Sequence, residues 1–159
     1  RGMVPGVMVE IPAAAILAHA ILAEVDFVSI GTNDLTQYTM AADRMSADLA
    51  ALTDPWQPAV LKLIESVATA GQELGKSVGV CGEAAADPNL ACVLTGLGVT
   101  SLSSAPVAAA GVGARLAEVT LDDCRAAAAA ALATADPGDA RAAAAEVLDA
   151  AATRHATAV

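Results

Sequence analysis

Four short apolar runs rich in β-branched residues, each followed by a stretch with helical spacing, restrict this chain to βα units on a parallel sheet. The runs are Val4 to Val9, Val25 to Ile30, Ser77 to Val80 and Val99 to Leu102. They are almost continuously hydrophobic, as suits strands covered on both sides. Behind the first, Ile11 to Ala23 reads as a helix, with Pro12 tolerated in the opening turn because its missing N–H would have no partner there. Behind the second, Leu35 to Ala42 reads as helical, a loop then carries Arg44, and Pro58 to Gly71 places Val60, Leu61, Ile64 and Val67 at helical spacing. The second unit therefore holds an insertion. Asp87-Pro88 opens a third helix running to Leu94, and Gly96 to Gly98 turns the chain into the fourth run. Two alanine-rich helices are expected after it, divided at Asp136-Pro137-Gly138, with the last ending near Thr153.

At 159 residues and 56% hydrophobic content the chain can bury a core. Much of that content is alanine, which buries little area, and Phe27, Tyr38 and Trp56 are the only aromatic residues, so large core side chains are sparse. A formal net charge of -10 argues against nucleic acid as a partner. No apolar run approaches the roughly 18 to 20 residues of a membrane span, and the start lacks the layout of a signal peptide, so no membrane association and a cytoplasmic location are expected. Cys81, Cys92 and Cys124 have no metal-type pair spacing and imply reduced thiols. The chain opens on Arg1 instead of Met, from which an excerpt of a longer polypeptide, or a processed product, is expected.

In parallel α/β folds, ligands sit beyond the carboxyl ends of the strands. Three strand ends carry polar residues: Glu10 after Val7-Met8-Val9, Asn33 and Asp34 after Ile30-Gly31-Thr32, and Cys81, Gly82 and Glu83 after Val78-Gly79-Val80. An acid directly after an apolar strand loses hydration, a cost recovered only with a cation, a donor or a proton. Glu10 and Asp34, at the same end of adjacent strands, could share one Mg²⁺, which takes one or two carboxylates and fills its octahedron with water and substrate oxygens. The plainer alternative leaves Glu10 capping the next helix and Asp34 making a turn. Cys81 on its own reads first as a small buried hydrophobe, as do Cys92 and Cys124. His19 and His155 lie in no recognisable phospho-acceptor sequence. Trp56, between Pro55 and Pro58, reads as an anchor for the inserted loop or as a dimer contact, and Glu83 either orients Cys81 or caps a helix.

The stretch Asp26-Phe27-Val28-Ser29-Ile30-Gly31-Thr32-Asn33-Asp34-Leu35-Thr36-Gln37, continuing through Tyr38-Thr39-Met40-Ala41-Ala42-Asp43-Arg44, closely resembles a signature of the phosphoenolpyruvate-utilising enzymes. Val9-Glu10-Ile11-Pro12-Ala13-Ala14 before it and Cys81-Gly82-Glu83 after it match the same family in order and approximate separation. Tyr38 to Arg44 is similar to the branch that phosphorylates a protein histidine for sugar uptake, while the dikinase and synthase branches share Gly31 to Gln37. The resemblance covers about Val4 to Leu116. It implies an α/β fold, the TIM (β/α)8 barrel, with this chain supplying roughly its last four βα units in residues 1–120 and alanine-rich terminal helices in 121–159.

By position, the resemblance implies that Glu10 and Asp34 hold Mg²⁺, that Asn33, Asp34 and Arg44 bind the substrate, and that Cys81 protonates carbon 3 of the enolate to give pyruvate. The residue chemistry agrees. Arg44 offers planar donors to phosphate oxygens, Asn33 donates without adding charge, and Gly31 lets the backbone amides at Gly31 and Thr32 approach a ligand. A thiol with pKa near roughly 8.5 holds a proton to give at neutral pH. The implied partners are phosphoenolpyruvate and pyruvate, a histidine-containing phosphocarrier protein reached through an amino-terminal domain not in this chain, and a second copy in a homodimer. Four units are half a barrel, so two sheet edges and one face are expected to need cover. A dikinase or synthase barrel, or a truncated barrel kept only for dimerisation, is left open beside the enzyme reading.

Overall fold

The computed structural model describes residues 2–157. Among them the chain runs β1 (Gly6–Val9), α1 (Pro12–Ile16), α2 (Ala18–Glu24), β2 (Phe27–Gly31), α3 (Thr32–Met40), a 3-10 turn at Ala47–Leu49, α4 (Pro58–Leu74) and β3 (Ser77–Cys81). A second 3-10 turn at Glu83–Ala86 leads into α5 (Pro88–Gly96), β4 (Ser101–Ser103), α6 (Pro106–Ala117), α7 (Leu121–Leu132) and α8 (Pro137–Ala156). The strands form one parallel sheet in the order β1-β2-β3-β4, each pairing with the next in sequence. The expected α/β class and βα alternation hold. The sheet is open at β1 and β4, so the described residues do not by themselves form the closed barrel that the resemblance implies. The first and last residues of the expected segments, Arg1 and Ala158 to Val159, lie outside the described residues.

Several elements differ from the sequence expectation, each for a local reason. The single helix expected over Ile11 to Ala23 is split at Leu17, where the backbone tightens to φ -95 and ψ 16 while Ala15, Ala18 and Leu22 still face the core. Residue spacing is unchanged by such a break, so periodicity cannot register it. Helix α3 begins directly at Thr32, not at Leu35, because polar Thr32, Asn33 and Asp34 form its first turn, where a carboxylate is favoured by the helix dipole. It stops at Ala41, which adopts the left-handed conformation at φ 50. Beyond β4 the chain forms three helices instead of two. The additional boundary lies at Thr120, whose side chain accepts from Asp123 N–H while Asp123 accepts from Thr120 N–H, a reciprocal capping box.

One face of the sheet packs against the helices, and its central residues Val9, Val28, Ile30, Val78 and Val80 are buried there. The alternate positions Met8, Phe27, Ser29, Gly79 and Cys81 face the other way and are at least partly exposed, following the two-residue period of strands. Alanine dominates the outer layer, where Ala127, Ala131, Ala140, Ala144 and Ala151 are fully buried with Leu148. Small side chains let helices approach closely, and α5 meets α7 closely at Gly96. A Cβ there would lie 2.1 Å from the Cys124 carbonyl oxygen, a backbone atom with little room to move. Gly96→Ala is expected to cost about 1–3 kcal/mol as overpacking, read as a lower thermal midpoint by circular dichroism. An unchanged midpoint would contradict the close helix contact. No helix among the described residues is long and apolar enough to cross a membrane.

Candidate functional site

Because all four strands run parallel, their carboxyl ends share one edge of the sheet, and the register there sets Val9 beside Ile30, Gly31 beside Cys81, and Cys81 beside Ser103. Glu10, Asn33, Asp34, Arg44 and Cys81 all line a single depression of about 110 Å³ at that edge. A neighbouring hollow of about 250 Å³ shares Asn33 and Arg44 and adds Met45, Thr53 and Glu83. The five residues singled out from sequence are therefore brought together.

The backbone at two glycines makes this convergence possible. A Cβ on Gly31 would stand 2.8 Å from Glu10 Cγ and 2.9 Å from Glu10 Oε1, so the Glu10 side chain lies across the space that Gly31 leaves. Gly82 takes φ 99, and a Cβ on it would meet Asn33 Oδ1 and Thr32 Oγ1 at 2.8 Å each. Only glycine serves there, on conformation and on space alike.

Glu10 does not cap the first helix: the N-cap is Ile11, without a side-chain bond. Asp34 sits in the first turn of α3 and pairs loosely with Arg44, Oδ1 to Nη2 3.9 Å, with both side chains more than a third exposed. Arg44 is held at its backbone, whose N–H donates to Gln37 Oε1 at 3.1 Å. Asn33 accepts from the Glu83 backbone N–H at 3.1 Å through Oδ1, and its Nδ2 donates to no protein acceptor among the described residues. Cys81 is partly buried, with Sγ 3.5 Å from the Ile30 carbonyl oxygen as a donor. Its own carbonyl accepts from Thr32 Oγ1 at 2.9 Å. Among the described residues no cluster of three or more His, Cys, Asp or Glu forms that could hold a metal, so the carboxylates available to a cation here are Glu10 and Asp34.

The supporting contacts of three residues escaped the sequence reading. The Thr32 hydroxyl, only 2% exposed, ties α3 to the end of β3, whereas sequence drew attention only to its amide. Gln37 fixes the Arg44 backbone, and Gly82 gives Asn33 its space. A glycine between Cys81 and Glu83 was the one visible signal. Glu83 acts on Asn33 through its amide and makes no side-chain cap. Trp56 is wholly buried and donates from Nε1 to Asp87 Oδ2 at 2.9 Å, which anchors the inserted loop within the chain and takes the ring away from any outer contact. His19 and His155 are exposed beside Glu73 and Asp123, away from the depression. Cys92 and Cys124 are buried in the helical layer.

A parallel βα sheet with carboxylates, an amide, a guanidinium and a thiol at one edge defines a class, and residues 1–121 match the family described as PEP-utilising enzyme, PEP-binding domain. The chain belongs to that family. It is 60% identical over 128 residues to a protein of Streptomyces coelicolor named phosphoenolpyruvate-protein phosphotransferase, which covers 80% of this chain and 23% of that protein. A protein of the same name from Latilactobacillus sakei is 54% identical over 98 residues, 62% of this chain and 17% of its own length. Another from Lactococcus lactis subsp. cremoris is 50% identical over 103 residues, 65% of this chain and 18% of its own. The chain thus spans between a sixth and a quarter of the length of these curated relatives.

Proposed function

We propose that the chain is the carboxyl-terminal half of the phosphoenolpyruvate-binding (β/α)8 barrel of a phosphotransferase, in residues 1–120, followed by alanine-rich helices in 121–159. Its substrate is phosphoenolpyruvate, and the phosphoryl group passes to a protein histidine for sugar uptake in the cytoplasm. The observation that carries this reading is the meeting of Glu10, Asn33, Asp34, Arg44 and Cys81 in one depression. The names of the relatives support a protein acceptor over the nucleotide of a dikinase or synthase.

In this reading Arg44 and the free Nδ2 of Asn33 bind the phosphate, and Arg44 exchanges its loose partner Asp34 for the phosphate oxygens. The bond between phosphorus and the enol oxygen breaks, the phosphoryl group moves to a histidine nitrogen outside this chain, and the enolate remains. Cys81 then gives its thiol proton to carbon 3, completing the methyl group of pyruvate, and the thiolate recovers a proton from solvent. Gly31 and Thr32 offer backbone amides beside the same ligand. Two carboxylates with an open side fit Mg²⁺ well, since this ion is commonly held by one or two protein carboxylates plus substrate oxygens and water. When bound by Glu10 and Asp34, Mg²⁺ supplies positive charge against the phosphate and the enolate oxygen.

Among the described residues Arg44 is the one cation lining the depression, next to two acids, in a chain of net charge -10. Repulsion of a highly charged anion is then poorly offset, and the family resemblance implies that arginines from the other half of the barrel complete the pocket. The purified 159-residue chain is therefore expected to bind phosphoenolpyruvate weakly and to turn over none. Steady pyruvate release from it would overturn this point. A longer polypeptide carrying this chain, with its own histidine domain, is expected to phosphorylate a histidine-containing phosphocarrier protein from phosphoenolpyruvate and to act as a homodimer. Absence of phosphohistidine with Mg²⁺ and carrier supplied would sink the proposal.

A further inference from the structure

Helix α8 lies beyond the residues matched to the family, yet one of its side chains grips the loop that carries Arg44. Arg141 Nη2 donates to both carboxylate oxygens of Asp54 at 3.1 Å, and Nη1 donates to Asp87 Oδ2 at 3.3 Å. Its guanidinium carbon stands 5.3 Å from the centre of the Trp56 ring. The Trp56 indole donates to that same Asp87 oxygen, and its backbone N–H donates to Asp54 Oδ1 at 2.8 Å. Asp87 also accepts from Asn89 and Leu90 N–H as the cap of α5.

Asp54 and Asp87 belong to two segments that line the site from different sides. Thr53, adjacent to Asp54, lines the hollow shared by Asn33, Arg44 and Glu83. Asp87 follows the turn Glu83–Ala86, whose first amide holds Asn33. Between Ala41 and Gln57 the loop has only a 3-10 turn and short-range bonds of its own, such as Met45 N–H to Asp43 Oδ1 and Gln57 Nε2 to the Ala51 carbonyl. Its long-range anchors are the buried Trp56 and the Asp54 pair with Arg141.

We propose that Arg141 is a positioning residue, which clamps the inserted loop against the start of α5 and so sets Arg44 relative to Asn33. This rests on the reading of those two as phosphate ligands. Single exposed ion pairs add little stability, so the worth of this one is geometric: a planar fork meets two carboxylates while its face lies on an indole. A lysine ammonium cannot reproduce that arrangement.

The test compares Arg141→Ala, Arg141→Lys and, on the same helix, Arg154→Ala, which removes a 3.0 Å pair with Asp123 instead. Amide hydrogen exchange is read in the 159-residue chain, and KM and kcat for phosphoenolpyruvate in the longer polypeptide. Arg141→Ala is expected to speed exchange across residues 43–54 about tenfold, with residues 28–31 unchanged. It should raise KM about tenfold with a smaller effect on kcat, and Arg141→Lys should not rescue either quantity. Arg154→Ala should leave both at the parent values. If Arg141→Ala fails to fold, Asp54→Asn removes the pair from the loop side and is expected to give the same loop exchange and KM change. A lowered melting point with parental loop exchange and parental KM overturns the proposal, as does full rescue by lysine. Faster loop exchange in a protein that, even unsubstituted, neither binds nor turns over phosphoenolpyruvate leaves the clamp standing and overturns the phosphate reading of Arg44.

Discussion

Asp34→Asn in the longer polypeptide is expected to lower Mg²⁺-dependent phosphoryl transfer by about a thousandfold, a loss equivalent to roughly 4 kcal/mol of transition-state stabilisation. The substitution keeps the side-chain shape and removes one of two carboxylate charges at the depression. Its structural cost is small, because Asp34 is more than a third exposed and its pair with Arg44 is loose at 3.9 Å. In the 159-residue chain carrying the same substitution, circular dichroism and the emission of Trp56, its sole tryptophan, are therefore expected to match the parent. The decisive measurement is transfer rate against Mg²⁺ concentration: a saturation curve identical to the parent's would remove Asp34 from the proposed metal site. If Asp34 only offset the charge of Arg44, its loss would instead strengthen phosphate binding at fixed Mg²⁺, an outcome of opposite sign.

Cys81→Ala is expected to separate the two halves of the reaction. Removing a general acid commonly costs a hundredfold or more, so protonation of carbon 3 should slow by about that factor. Phosphoryl transfer should change much less, because Cys81 lies on the enolate side of the proposed chemistry. The side chain is partly buried and its thiol makes one long contact, 3.5 Å to the Ile30 carbonyl, so alanine leaves little strain. Phosphohistidine formation and proton incorporation into pyruvate, followed separately, give the two rates. Equal slowing of both would assign Cys81 to packing and leave the enolate without its proton donor.

The βα order and the gathering of the five candidate residues at one edge were legible because both are written at short range. Strand runs ending in Glu10, in Thr32-Asn33-Asp34 and in Cys81-Gly82-Glu83 needed only the rule that parallel strands place their carboxyl ends together, and the register confirms that edge. The start of α3 was misread, since a polar turn after a strand looks like a loop until its residues are seen to be the first helical turn. The break at Leu17 and the capping box at Thr120 were also missed, the first because it leaves the apolar spacing intact, the second because alanine-rich sequence has little periodicity to interrupt. Glu83 was assigned a side-chain role, whereas its backbone amide is what meets Asn33.

From the amino-acid order alone came the parallel βα class, the five candidate residues and the family they resemble, all properties of segments a few residues long. The tertiary structure alone decided how those residues are held. Thr32 reaches the Cys81 carbonyl across 49 positions of chain, Glu83 reaches Asn33 across 50, and Arg141 reaches Asp54 across 87. Local propensity and periodicity act over single turns and strands, while contacts of this separation exist only once the sheet has set its register and the helices have closed over one face.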